Sequence, residues 1–141
     1  SERQMLLKRD DLGDLCGLVW LGDRAVHRSL VQVGGTAAIE GDRRGLHLDA
    51  GECYVHYCET VREHFGRGLY PHMLRMILSR LFANVETLRV FISCRDQNVA
   101  SIRGIQKAGF EHIATIYTLG IAGGRVGLSM TSAPRSAANA R

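Results

Sequence analysis

The pattern of apolar and polar positions divides the chain into a first half rich in predicted strands and a second half in which helices and strands alternate. In the first half, four apolar segments bounded by turn residues read as strands. They span residues 17–21, 25–33, 36–40 and 52–61. The dipeptides Gly-Asp at 22–23, Gly-Gly at 34–35 and Gly-Asp at 41–42 predict hairpin turns between them. Before about Leu15 the chain is polar, and its pattern favours neither a strand nor a helix.

A helical period dominates residues 70–81. Apolar side chains recur there at i, i+3, i+4, i+7, i+8 and i+11, which is the stripe of a helix that covers a core. These residues are Tyr70, Met73, Leu74, Ile77, Leu78 and Leu81. Pro71 suits the first turn, where its missing N–H breaks no intrahelical hydrogen bond. Residues 88–92 then read as a buried strand, so strand, helix and strand form one crossover unit.

A second helix is predicted at about residues 98–108, ended by Gly109, and residues 110–119 and 125–130 form a closing hairpin. This order of elements predicts an α+β (mixed α/β) fold, in which helices flank a mixed, mostly antiparallel sheet with one parallel crossover pair. We expect residues 1–131 to form a single domain. Residues 132–141 contain no large apolar side chain and are predicted to be a flexible tail.

Composition excludes several classes of protein. The 141 residues suffice for one domain, and a net charge of +4 is too small to indicate a nucleic-acid binder. The four cysteines lack the dense spacing of a disulfide scaffold, and no apolar segment is long enough to span a bilayer. We therefore expect a cytoplasmic protein without membrane contact. The histidines and cysteines show no convergent ligand spacing, so no metal site is expected.

The segment that precedes the long helix carries the first chemical signal. Gly66 and Gly68 allow the backbone to approach a phosphate, and the start of a helix presents unpaired N–H groups and a positive dipole. The predicted phosphate loop comprises Phe65, Gly66, Arg67, Gly68, Leu69 and Tyr70. The alternative is an ordinary tight turn. Because neither a Gly-Lys-Ser/Thr ending nor a third glycine follows, a nucleotide hydrolase and a nicotinamide-dependent enzyme are disfavoured.

Together with the second helix, this loop resembles the GNAT superfamily of N-acetyltransferases. Gly66 and Gly68 match the family's pattern Gln/Arg-x-x-Gly-x-Gly/Ala, and residues 98–110 are similar to its Asn-x-x-Ala/Ser helix that ends in Lys-x-Gly-Phe. The resemblance covers about residues 25–130 and is greatest to small bacterial enzymes with Gly-Arg-Gly-Leu-Tyr-Pro in the loop. It implies the GNAT fold and an enzyme that moves an acetyl group from acetyl-CoA, its co-substrate, to a primary amine by direct attack.

The resemblance also implies which residues bind acetyl-CoA. The backbone of Thr60 and Val61 pairs with the pantetheine arm, and the loop at residues 65–70 holds the pyrophosphate. Asn98 and Ser101 contact the cofactor from the second helix, although Asn98 equally suits a helix cap.

Catalysis by this route needs an oxyanion donor, a base for the amine and a proton for the thiolate. The backbone amide around Cys58 is the expected oxyanion donor. Glu52 and Glu59 are the candidate bases, with Glu52 slightly favoured, and the alternative for each is a solvated carboxylate. The family's usual acid is a tyrosine at the position of Ile105. Either the thiolate leaves without a dedicated acid, or Tyr117 or Tyr57 supplies the proton.

Two departures from the family support a second hypothesis, an acyl-CoA-binding regulatory or structural module without turnover. The tyrosine is missing, and only about 24 residues precede the aligned segment, where relatives place a strand and two helices that help to form the acceptor site. For an enzyme, the expected partner is a small molecule or a peptide that carries an amine. A homodimer formed through the C-terminal hairpin is left open by the sequence.

Overall fold

The computed structural model describes residues 3–9, 11, 14–40, 42–119 and 125–134. Within them the chain forms nine strands, one short 3-10 turn at Arg62–His64 and two helices. In chain order the strands and helices are β1 (Arg3–Arg9), β2 (Leu15–Leu21), β3 (Arg24–Val33), β4 (Thr36–Ile39), β5 (Asp42–His47), β6 (Glu52–Thr60), α1 (Leu69–Phe82), β7 (Arg89–Arg95), α2 (Val99–Lys107), β8 (Glu111–Leu119) and β9 (Arg125–Pro134).

Seven strands form one sheet in the order β1-β2-β3-β6-β7-β9-β8. Neighbouring strands are antiparallel except β6 and β7, which are parallel and pair residues 52–55 with residues 89–92. Strands β4 and β5 form a separate two-stranded sheet. The predicted α+β fold with one parallel crossover pair is confirmed.

Both helices contribute to the main core on one face of the sheet. The apolar stripe of α1 is buried as its period predicts, and Met73, Leu74 and Ile77 are each 0% exposed. Strand β2 approaches α1 closely because Gly17 has no side chain: a Cβ atom there would lie 2.7 Å from Met73 Sδ. Full burial of a side chain of this size stabilises a fold by roughly 1.5–3 kcal/mol.

The opposite face of the sheet is covered unevenly within the described residues. A second apolar cluster joins the β4–β5 hairpin to the centre of the sheet and comprises Ala37, Ile39, Leu48, Tyr54, Phe91, Leu128 and Met130. Over β1, β2 and β3 the same face is partly open, since Leu6 is 38% exposed and Leu18 and Trp20 are half-buried.

The N-terminal region differs from the family's strand and two helices. Two antiparallel strands, β1 and β2, precede β3, and residues 10–14 join them directly. Five residues are too few for two helices. Strand β1 was not predicted because it lies at the edge of the sheet, where polar residues such as Gln4 and Lys8 are usual.

Two further boundaries differ from the sequence prediction. Strand β9 continues through Pro134 and pairs there with β7, so residues 132–134 belong to the sheet and not to the expected tail. The other residues of that tail, 135–141, lie outside the described part of the chain. Strand β5 was missed because it is polar and contains Gly45, whose φ angle of +68° is unusual for a strand.

Candidate active site

Strands β6 and β7 separate beyond the end of their parallel pairing. The last paired residues are Val55 and Ile92, yet β6 continues to Thr60 and β7 to Arg95. An opening therefore forms between the carboxyl ends of the two strands, which is the edge of an α/β sheet where ligands commonly bind.

A β-bulge in β6 accompanies this separation. The pairing with β3 changes from His56 opposite Leu30 to Glu59 opposite Arg28, so two residues of β6 oppose one residue of β3. Tyr57, the first residue of the bulge, has a φ angle of +48° and is 66% exposed. A positive φ is rare for a residue with a side chain, and such strain concentrates at functional sites.

The backbone of β6 beyond the bulge has one edge facing the opening. The N–H of Val61 donates to the carbonyl oxygen of Val26 on β3 at 2.8 Å. Because successive backbone groups of a strand point to opposite edges, those of Thr60 and Cys58 point away from β3. Thr60 and Cys58 therefore suit their predicted backbone roles, whereas the N–H of Val61 is already engaged and does not.

The loop between β6 and α1 presents a row of free N–H groups. Those of residues 66–70 have no hydrogen-bond partner among the residues that the structure describes. Gly66 and Gly68 have φ angles of +72° and +71°, with no atom within 4 Å of a Cβ position. The N–H of Phe65 donates to the carbonyl oxygen of Arg62 at 3.1 Å and is not part of this row, so its contact with a phosphate stays a prediction. Five successive donors at the start of α1 form a favourable site for an anion.

Charged side chains surround this loop. Arg67 Nη1 lies 3.2 Å from His64 Nδ1, and Arg62 is exposed beside them. Glu63, which stands where the family's pattern has Gln or Arg, lies 4.0 Å from Arg24 Nη2. Because both partners of that pair are exposed, it contributes little to stability. The basic side chains add positive potential around the donor row.

Helix α2 starts beside the opening. Asn98 caps it, since Asn98 Oδ1 accepts a hydrogen bond from the N–H of Ser101 at 3.1 Å. The predicted cap is confirmed, while contact of both residues with a cofactor stays a prediction. Gly104 lies against Tyr70, and a Cβ atom there would be 3.0 Å from Tyr70 Cδ1, which explains a glycine inside a helix. Ile105, at the position of the family's tyrosine, is fully buried.

Under the bulge, on the helix side of the sheet, lies a cluster of buried polar side chains. His27 is 3% exposed; its Nδ1 lies 2.7 Å from Thr60 Oγ1, and its Nε2 lies 2.8 Å from Ser29 Oγ. Burial lowers the pKa of His27 to about 4. The ring is therefore neutral at pH 7, with one nitrogen donating a hydrogen bond and the other accepting one.

The same cluster extends to Cys58 and Tyr70. The thiol of Cys58 donates to the carbonyl oxygen of His56 at 3.8 Å, and burial raises the pKa of that thiol to about 11. Burial also raises the pKa of Tyr70, whose ring centroid lies 5.9 Å from that of His27. Cys58 is therefore protonated at pH 7 and is a poor nucleophile for a covalent intermediate.

A cleft of about 470 Å³ lies at the bulge, bordered by the carboxyl ends of β6 and β7 and by the β4–β5 hairpin. His56, Tyr54 and Tyr57 line it from β6, Arg95 lines it from β7, and Glu40 lines it from the end of β4. The His56 ring centroid lies 5.9 Å from that of Tyr54 and 4.8 Å from that of Tyr57. Burial lowers the pKa of His56. Both carboxylate oxygens of Glu40 accept hydrogen bonds from Arg95, which lowers the pKa of Glu40.

The two predicted catalytic carboxylates have other partners. Glu52 Oε1 accepts a hydrogen bond from the N–H of Asp49 at 2.9 Å. Glu52 lies five residues before the bulge, or about 16 Å along the strand, so the structure does not bring it to the opening. Glu59 Oε2 lies 2.9 Å from Arg28 Nη2, and Glu59 borders a second cleft of about 380 Å³ near β2 and β3.

The predicted acid, Tyr117, lies in β8 and is 53% exposed. Strands β7 and β9 separate β8 from β6, which puts its backbone at least about 14 Å from β6. The cleft residues His56, Glu40 and Arg95 were not predicted. His56 directly precedes the bulge and could have been found from its strand position, whereas Glu40 and Arg95 are 55 residues apart and no local pattern connects them.

The described part of the chain holds neither a disulfide nor a cluster of metal ligands. The four cysteines are free thiols, and no group of His, Cys, Asp and Glu side chains there could hold a metal ion. Among the same residues, no helix has both the length and the apolar character that a membrane crossing requires.

Comparisons with known proteins support the fold. No protein-family model matches the sequence, and no curated protein sequence matches it. Among solved structures, a GNAT-family acetyltransferase from Streptococcus pneumoniae is 12% identical, with a TM-score of 0.66 over 86% of this chain and 66% of that one. A chimera of the spermidine N-acetyltransferase SpeG from Vibrio cholerae and hSSAT is 13% identical, with a TM-score of 0.69 over 93% and 72%.

A third similar structure is AAC(6')-Ib in complex with paromomycin and acetyl-CoA, 20% identical, with a TM-score of 0.63 over 88% of this chain and 66% of that one. The chain thus spans about two thirds of the length of these relatives. The fold is that of the GNAT acetyltransferases, and the resemblance noted in the sequence is confirmed at the level of the fold.

Proposed function

We propose that the protein transfers an acetyl group from acetyl-CoA to a primary amine. The observation that carries this proposal is the row of free N–H groups at residues 66–70, next to the opening between β6 and β7. Such a row suits the pyrophosphate of CoA. The free edge of β6 at Thr60 suits the amides of an extended pantetheine arm, and AAC(6')-Ib, which has this fold, was solved with acetyl-CoA.

In this arrangement the thioester would lie at the bulge. The N–H of Cys58 points away from β3 and suits donation to the carbonyl oxygen as negative charge develops there. Direct attack by the amine is favoured because the thiol of Cys58, with a pKa of about 11, is a poor nucleophile at pH 7. The acceptor is a small molecule or a peptide, as for the spermidine and aminoglycoside enzymes that share the fold.

A second candidate function is a module that binds acyl-CoA without turnover. Two observations favour it: Ile105 is fully buried where the family's tyrosine is expected, and residues 10–14 replace two helices that help relatives to form an acceptor site. The two candidate functions share the loop at residues 65–70, called the cofactor loop below, and differ in whether an amine is acetylated.

Binding is tested by the thermal melting of the protein with and without acetyl-CoA. Acetyl-CoA at a hundred times its Kd is expected to stabilise the protein by about 2.7 kcal/mol, or roughly 5–10 °C in Tm. Gly68→Glu, which adds bulk and negative charge to the donor row, is expected to abolish this shift. Gly34→Glu is the matched control, because Gly34 also has a positive φ (+75°) and open space at the Cβ position.

The control separates loss of binding from loss of folding. Gly34 lies in the turn after β3, at the opposite end of that strand from the loop, so Gly34→Glu should retain the shift. A wild-type protein that shows no shift would contradict the proposal, and so would a Gly68→Glu variant that keeps the full shift.

Turnover is tested by the release of free CoA thiol from acetyl-CoA in the presence of spermidine, paromomycin, 2-phenylethylamine and a peptide with a free N-terminus. We expect at least one amine to give release that depends on the protein and on an intact Gly68. Binding of acetyl-CoA without release for any amine would favour the module instead.

A further inference from the structure

We propose that the cleft beside the bulge binds the amine acceptor and that the imidazole of His56 accepts the proton of its ammonium group. This assignment rests on the proposed acetyl transfer and adds two elements to it, the acceptor site and the base. Neither predicted carboxylate is as well placed as His56 to act as the base. Glu52 is about 16 Å from the bulge, and Glu59 is paired with Arg28.

The cleft lies beside the place where the thioester is expected. Both separating strands line it, with His56 and Tyr57 on β6 and Ser93 and Arg95 on β7. The cofactor loop reaches this opening from the start of α1. The cleft reaches it from another direction, that of the β4–β5 hairpin. An amine in the cleft and a thioester at the bulge would therefore meet at Tyr57, next to the His56 side chain.

The fold holds the His56 ring in place by ring contacts and leaves its nitrogens available to a ligand. It stacks on Tyr54 and lies tilted against Tyr57, and no described residue forms a hydrogen bond with either ring nitrogen. His27, in contrast, uses both of its nitrogens in hydrogen bonds inside the core. His56 thus retains a nitrogen lone pair that can accept a proton from a ligand.

Burial keeps the imidazole of His56 neutral at pH 7. Burial lowers its pKa, and the carboxylate of Asp14 opposes this effect. The other titratable or charged groups of the cleft are Tyr54, Tyr57, Cys94 and the ion pair of Glu40 with Arg95, whose opposite charges largely cancel. A neutral imidazole with a pKa below its usual 6.5 is a competent base at physiological pH.

The proposed step conserves protons and electrons. An alkyl ammonium group in the cleft loses one proton to His56, and the lone pair that is freed attacks the carbonyl carbon of the thioester. The new C–N bond forms, the C–S bond breaks, and its electron pair leaves with sulfur. The second proton of the nitrogen passes to the thiolate, so the products are the amide, CoA thiol and one proton that His56 returns to water.

The test is His56→Gln, measured by CoA release with whichever of the four amines the wild type uses fastest. We expect kcat at pH 7 to fall at least about 100-fold, the usual minimum for loss of a general base. The deficit should shrink toward pH 10, where an alkyl amine with a pKa near 10.4 loses its proton without help. The thermal shift with acetyl-CoA should remain within about 1 °C of the wild type, because the cofactor loop is unchanged.

Two variants control this measurement. His112→Gln changes an exposed histidine of β8 and should leave kcat unchanged. His56→Asn repeats the test with a shorter amide in case the glutamine disturbs the stacked tyrosines. A kcat at pH 7 within threefold of the wild type in both His56 variants would overturn the role of His56 while acetyl transfer stood.

A deficit in the His56 variants that is equal at pH 7 and pH 10, or that comes with a lost acetyl-CoA shift, would indicate a structural role and would also overturn the proposal. A wild type that binds acetyl-CoA and releases no CoA thiol with any of the amines would overturn the base together with the acetyl transfer on which it rests.

Discussion

Two histidines near the bulge of β6 lie in different environments. The comparison between them shows how a histidine that stabilises the core differs from one that is available to a ligand. His27 is 3% exposed in the core beneath α1, and two hydroxyl groups engage its nitrogens. His56 is half-buried in the open cleft, where its ring lies against those of Tyr54 and Tyr57. Burial lowers the pKa of both, so their pKa values do not distinguish the two roles, whereas their hydrogen bonds do.

The same contrast holds for the whole sheet. Its helix-covered face buries the apolar side of α1, and the buried polar side chains there are hydrogen-bonded, as in the cluster of His27, Ser29 and Thr60. Its other face leaves apolar side chains half-exposed and carries the charged pair of Glu40 and Arg95 near water. The covered face therefore supplies stability, and the open face is where we propose that a ligand binds.

The largest expected effect on stability comes from the same substitution, Leu→Ala, made on each face of the sheet in turn. Leu74→Ala, at a position in α1 with 0% exposure, is expected to lower the free energy of unfolding by about 3–5 kcal/mol. Leu18→Ala, on the half-buried face of β2, should lower it by about 1 kcal/mol. Urea denaturation measures both. Equal losses would show that the open face of β2 is covered in solution.

A smaller effect should come from the titration of His27. Its pKa is about 4 in the folded protein and about 6.5 when unfolded, so the unfolded chain binds the proton first as the pH falls. The free energy of unfolding should be unaffected by His27 above about pH 6.5, decrease between 6.5 and 4, and lose at most about 3 kcal/mol. His27→Gln, which can keep a donor and an acceptor, should lose less stability than the wild type between pH 7.5 and 4.5.

Other carboxylates also titrate in that range, so the comparison is between variants and not between pH values alone. His112→Gln, at an exposed site in β8, should follow the wild-type curve. If His27→Gln follows it as well, His27 is not the buried neutral group that distinguishes the covered face.

The smallest effect is expected for the charged pair on the open face. Glu40→Gln removes an ion pair whose side chains are 61% and 52% exposed, and the free energy of unfolding should change by less than about 1 kcal/mol. Urea denaturation at low and high salt measures this change, which salt should reduce further. A loss above about 2 kcal/mol would mean that the open face also maintains the fold.

Local patterns were sufficient for much of the fold and for the cofactor loop. The stripe from Tyr70 to Leu81 predicted α1, and the spacing of Gly66 and Gly68 before it predicted a turn that the structure shows with two positive φ angles. Strands β1 and β5 were not predicted, because edge strands with polar residues show no clear alternation of apolar and polar positions. The glycine inside α2, Gly104, is explained by the structure, which places the ring of Tyr70 against it.

The candidate bases Glu52 and Glu59 could not be ranked from the sequence, because a strand bulge changes which side chains share a face. Regular alternation would place His56 and Tyr57 on opposite faces, yet both line the same cleft. Glu52 has a suitable residue type and strand, but its position is about 16 Å from the bulge.

The sequence by itself determined elements that depend on neighbours along the chain: the helix periods, the hairpin turn at residues 22–23, the cap at Asn98 and the glycine loop before α1. The hairpin predicted at residues 34–35 is wrong, because β3 pairs with β2 and β6 whereas β4 pairs with β5. Only the tertiary structure decided which side chains meet at the opening. The bulge arises from a register shift between β3 and β6, and the cleft joins Glu40 to Arg95 across 55 residues. Contacts of that kind depend on the packing of distant strands, and no local spacing of residues records them.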